Sequence, residues 1–288
     1  MISRRAFLMS GASCAFALAA LPPAVAQETT ADDAEFICAT PDPEHTADEL
    51  GQLVLDGFDG TQVPYISTVQ DLQGRGLSLY GTASVLDAWQ LGDGLTPHTG
   101  KITLGVRFVD GTDQQKQAVR VFASKWLDGD LGKVIAFKFD VAPRDAQIAV
   151  TFATGQNLSK VGRVSRLTAP THSTVELSDA SERHICHEFG HALGLKHEHS
   201  NPTAPIQWNK PQVYADLARQ GWSRAMVDAN LFNKLGPQFA CLGDKAFNPQ
   251  SIMLYPIQRN WTLNGFSSGL NTKISDRDRK CVNSLYGA

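Results

Sequence analysis

The stretch His187-Glu188-Phe189-Gly190-His191-Ala192-Leu193-Gly194-Leu195-Lys196-His197 constrains this chain more than any other. His187 and His191 are four residues apart, so on a helix both imidazoles leave from one face. The apolar flank and the upstream Ser181 predict that this helix begins near Ser181. His197 cannot join them from the same straight helix, because ten residues would carry it about 15 Å along the axis. The chain must stop and turn back. Gly194 is placed to do this, since glycine accepts the left-handed conformation that ends helices. Three imidazoles then converge and leave one position open.

That donor set suits one catalytic Zn2+ ion, which acidifies water and polarises a carbonyl. Glu188 follows His187 by about 100° of rotation. It stands near the metal without binding it, as a general base requires. An HExxH pattern alone arises by chance; the longer form fixes five positions over eleven residues and is far more specific. His184 and His199 fall outside the triad and read as surface groups or as groups behind it. His45, His98 and His172 carry no readable signal.

The N-terminus reads as a targeting segment. Arg4-Arg5, between Ser3 and Phe7-Leu8, resembles a twin-arginine export signal. Ala24-Val25-Ala26 forms a small-x-small cleavage site, so the mature chain is expected to begin near Gln27, periplasmic or secreted. The stretch is too short and too rich in small residues for a membrane anchor, and no later run is long enough to span a bilayer. Without Cys14, four cysteines remain: Cys38, Cys186, Cys241 and Cys281. An oxidising compartment permits three pairings of these. Cys241 with Cys281 is the favoured pair, and Cys186 reads as a buried free thiol.

The formal charge of −3 hides an asymmetry. Residues 27–74 carry 11 Asp or Glu and no Lys or Arg, whereas residues 75–288 balance to +6. The acidic part is either a solvated extension or an inhibitory pro-segment lying along a more basic domain. No basic cluster with interleaved aromatics points to nucleic acid.

Beyond residue 100, Ile102, Leu104, Val106 and Phe108 alternate as in a half-buried strand. Helical spacing follows from Asp113 to Leu127. Short strands are predicted over 135–141, 146–152 and 173–177. Trp208-Asn209-Lys210-Pro211 reads as a helix start, 223–235 as a helix, and Ser275-Asp276-Arg277-Asp278 as a capping box opening a last helix. The order implies an α+β fold, a twisted mixed sheet with the active-site helix above a less regular C-terminal part. The 288 residues suit one globular domain plus extra segments. The divisions are 1–26, the signal; 27–98, the acidic segment; and 99–288, the catalytic domain, with an upper half 99–197 and a lower half 198–288.

The eleven-residue motif, followed by Ser251-Ile252-Met253-Leu254-Tyr255 and by Glu198 after the third histidine, resembles the metzincin metallopeptidases, most closely the bacterial astacin-like type. The resemblance implies a zincin fold with His187, His191 and His197 as metal ligands, Glu188 as base and Tyr255 as a donor to the developing oxyanion. It further implies Met253 as an apolar floor, Glu198 as a structural hydrogen-bonding residue, and 173–177 as an upper edge strand that binds an extended peptide. Astacin-type zymogens block the metal with an aspartate in F-x-G-D. Here Phe58-Asp59-Gly60-Thr61 has threonine at that place, leaving Asp59 or Cys38 as candidates. Leu254 also departs from the usual polar residue. The implied activity is zinc-dependent endoproteolysis of peptide or protein substrates. A zinc-binding protein without turnover is the alternative, and Glu188 argues against it.

Overall fold

The computed structural model describes residues 88, 89 and 93, then 100–235 and 246–287. The signal, most of the acidic segment, the Phe58–Thr61 stretch, Cys14, Cys38 and Cys241 lie outside the described residues. The principal elements are β1 (Ile102–Phe108), α1 (Asp113–Ala123), α2 (Leu131–Val134), β2 (Ile135–Phe139), β3 (Ile148–Thr151), β4 (Leu158–Ser159), β5 (Val175–Glu176), α3 (Glu182–Ala192), α4 (Lys210–Ala218), α5 (Arg224–Val227) and α6 (Asp276–Tyr286).

The five strands form one mixed sheet in the order β2-β1-β3-β5-β4. β1 pairs in parallel with β2 and β3, β3 pairs in parallel with β5, and β4 runs antiparallel to β5. Central β3 is buried along its whole length, as a strand covered on both faces must be. Thr112 opens α1 with a capping box closed by Gln115. A 3-10 turn, Ser124–Leu127, then drives Trp126 into the core. Its indole donates to the Cys186 carbonyl of α3 at 2.8 Å, tying α1 to the active-site helix.

Against expectation, residues 173–177 do not supply a sheet edge; β5 lies inside the sheet, and the edge strands are β4, beside it, and β2. Two residues, Leu158 and Ser159, are too few to show alternation in the sequence.

The buried apolar residues form two large clusters. The upper one joins the sheet, α1 and α3, and includes Met253. The lower one joins α4, α5, Leu254, Tyr255, Ile257 and Trp261. The last helix does not stay with the lower half: Cys281 and Val282 pack in the upper cluster, and Tyr286 Oη donates to the Leu193 carbonyl at 2.8 Å. Cys281 is disulfide-bonded, to a partner outside the described residues. Cys186 is free and buried, as the sequence suggested.

Three residues from the acidic segment are buried in this domain: Ala88, Trp89 and Asp93. Trp89 Nε1 donates to the Ala192 carbonyl at 2.8 Å, at the C-terminal end of α3. Asp93 accepts from Arg163 Nε at 2.9 Å and Nη2 at 3.0 Å, and from Arg166 Nη1 at 2.6 Å. Among the described residues, no helix is long and apolar enough to cross a membrane.

Candidate metal centre

Ser181 caps α3 by accepting from the His184 amide, and the helix runs Glu182–Ala192 with residues 185–192 all buried. Gly194 then takes φ +100°. The Leu195 amide reaches back to the Gly190 carbonyl at 3.0 Å and the Gly194 amide to the His191 carbonyl at 2.8 Å. This left-handed stop is the one expected of Gly194. It brings His197 under the helix instead of beyond it.

The ligating atoms of His187, His191 and His197 all lie within 4.8 Å of one another, and all three residues are buried. His191 Nε2 and His197 Nε2 are 3.0 Å apart. Two nitrogens about 2.0–2.1 Å from one tetrahedral ion would be roughly 3.3 Å apart, so the spacing fits zinc. Backbone carbonyls set the tautomers. His187 Nδ1 faces the Ile252 carbonyl at 2.7 Å and His191 Nδ1 faces the Leu195 carbonyl at 2.8 Å. Only an N–H can donate to a carbonyl, so Nδ1 carries the proton and Nε2 offers its lone pair. Burial also keeps these rings neutral. It pushes His187 and His197 well below the usual imidazole range and His191 down to about 4. Neutral imidazoles are what a metal needs.

Below the triad, residues 251–255 make a tight turn. The Leu254 amide donates to the Ser251 carbonyl at 3.1 Å, and the Met253 carbonyl accepts from the Glu198 amide at 3.0 Å. The Glu198 carboxylate accepts from the Asn248 amide at 2.8 Å and Asn201 Nδ2 at 2.9 Å. Burial raises its pKa to about 7 against those hydrogen bonds. The Tyr255 ring centroid lies 4.3 Å from that of His197 and 4.4 Å from that of His199. Glu188 is buried on α3, one residue after the first imidazole.

No protein-family model and no curated protein matches the chain. Among solved structures it is similar to myroilysin, an astacin-family metzincin, at 31% identity over 65% of this chain and 93% of that one, with a TM-score of 0.58. The chain belongs to the astacin-like metzincins. These are zinc-dependent endopeptidases, and the mixed α+β fold is theirs. The fold is shared with high choriolytic enzyme 1, a hatching enzyme zinc-protease from Oryzias latipes (Medaka fish), at 18% identity over 70% of this chain and 95% of that one, with a TM-score of 0.50.

In this astacin-like chain the structure brings together all five residues singled out by sequence, His187, Glu188, His191, His197 and Tyr255, on α3, the turn after it and the 251–255 turn. His184 sits toward the surface, 2.9 Å from Asp179. His199 is buried instead, stacked on His197 with centroids 5.2 Å apart, its Nε2 2.7 Å from the Asn230 carbonyl. Two residues around the site carried no sequence signal. Arg183 reaches from α3 to the Ile252 and Leu254 carbonyls, and Gly190 leaves room for Met253.

Proposed function

We propose that this chain is an exported endopeptidase in which His187, His191 and His197 hold a single zinc ion and Glu188 is the general base. The observation that carries the reading is the convergence of three buried imidazoles, two of them fixed through Nδ1 so that Nε2 faces inward. A bound zinc ion supplies Lewis acidity toward water and a peptide carbonyl. Glu188 takes a proton from the attacking water and delivers it to the leaving amine nitrogen. Its burial keeps bulk water from competing for that proton. Tyr255, against His197, donates a hydrogen bond from its hydroxyl to the carbonyl oxygen as negative charge develops there. The side of β4 that pairs with no other strand among the described residues receives the substrate as an added extended strand.

Two comparisons test this. Metal analysis after mild dialysis should find about one zinc per chain, the single ion such a site holds; less than about half would count against it. Glu188→Ala should keep the zinc and lose cleavage of a generic protein substrate, by about 100-fold or more. An E188A enzyme as active as its parent would mean that the base is another group.

Export rests on Arg4-Arg5 and Ala24-Val25-Ala26, and N-terminal sequencing of the mature protein should read from near Gln27. The burial of Ala88, Trp89 and Asp93 supports a catalytic unit that begins before residue 88, so an inhibitory pro-segment would be cut upstream of it.

A further inference from the structure

Arg183 is only 5% exposed, in the first half of α3. That is a costly place for a guanidinium, next to a site that gathers a cation, and such burial is tolerated only when the donors find acceptors. Nη1 donates to the Ile252 carbonyl and lies 2.8 Å from His187 Nδ1, while Nη2 donates to the Leu254 carbonyl at 3.4 Å. The Ile252 carbonyl is also the acceptor for His187 Nδ1–H, at 2.7 Å. The Ile252 amide in turn donates to Asp278 Oδ2 at 2.9 Å. Ile252 is thus held between a buried guanidinium on α3 and a buried carboxylate on α6.

We infer that Arg183 is a positioning residue for His187: by fixing the Ile252 carbonyl and bracing Nδ1, it holds the His187 ring in the orientation that turns Nε2 toward the other two imidazoles. The planar fork of arginine can hold two carbonyls of one turn at once, which the point charge of a lysine cannot. Arg183 acts through the backbone and does not touch substrate. The inference rests on the zinc reading above.

The test uses the mature chain and its R183M and R183K variants. Zinc affinity is measured by competition with a chromophoric chelator, and the cobalt-substituted proteins are compared by visible absorption. Melting of the metal-free proteins establishes that each is folded. R183M should bind zinc about 10–100-fold more weakly and shift the cobalt bands, and R183K should recover part of the affinity. Should R183M fail to fold, R183K, which keeps the buried charge, is read in the same way and should still bind more weakly than the parent. Folded variants that bind zinc within about threefold of the parent, with unchanged cobalt absorption, overturn the inference. A parent that takes up no zinc overturns the metal centre itself, a distinguishable result.

Discussion

A side chain at position 190 would have to occupy space already filled by Met253 and Trp126. An added Cβ would meet Met253 Sδ at 2.5 Å and Trp126 Cζ2 at 3.0 Å. Gly190→Ala should therefore destabilise the protein by about 1–3 kcal/mol, read from its melting transition. A Gly190→Ala protein that melts like its parent would mean that Met253 packs elsewhere. Cys186 makes a second point at this scale. Burial pushes its thiol up to about 12, and Sγ donates to the Phe122 carbonyl at 3.3 Å. It should resist alkylation in the native protein and react after unfolding. Individual residues were legible in the sequence where chemistry ties them to a short motif. The triad histidines, Glu188 and Gly194 stand within eleven positions of one another. Arg183 was not legible, because between Glu182 and His184 it looks like any charge on a solvated helix. The return of residues 252–254 beneath α3 gives it carbonyl acceptors.

At the scale of elements, α6 is more than a C-terminal cap. Asp278 closes the capping box with Ser275, as its sequence suggested, and also accepts from Ser251 Oγ at 2.6 Å and the Ile252 amide at 2.9 Å. Asp278→Ala should cost about 2–4 kcal/mol, since it strands several buried donors at once, and should loosen the turn beneath the histidines. A melting temperature unchanged by D278A would refute that coupling. The strap formed by Trp89 and Asp93 makes a similar forecast. A chain beginning near residue 75 should melt like one beginning at Gln27, whereas one beginning at residue 100 should lose roughly 3–5 kcal/mol or fail to fold, because Arg163 and Arg166 would lose their buried carboxylate. Comparing the activities of the first two also tests inhibition by the acidic segment; equal activity would leave only a solvated extension. The helix starts at Ser181 and Ser275 and strands β1 to β3 were readable because capping and alternation are local signals. The place of Asp93 was not, since its partners lie 70 and 73 residues further along the chain.

For the whole molecule, four buried histidines dominate the response to acid. Burial depresses His187, His191, His197 and His199 in the metal-free chain, with His191 and His199 at about 4. Once unfolded, each would take up a proton near pH 6.5. Glu198, raised to about 7 in the fold, opposes this by one proton, but the four histidines together leave the unfolded state binding more, so stability is greatest above about pH 6.5 and falls as the pH drops toward 4. Melting of the metal-free protein across that range should show a steady decline; a flat profile would mean that the rings are not sealed from water. The mixed sheet was readable as a class from the order of its elements, but its edge was not, because β4 is set by pairing with β5 alone.

The turn beneath the histidines has one more implication. Met253 and Leu254 are chain neighbours, yet each is rooted in a different hydrophobic cluster. The peptide link between them, with about 3.8 Å between its α-carbons, therefore joins the two clusters directly beneath the histidines. Packing changes in either cluster therefore pull on the turn that carries Tyr255.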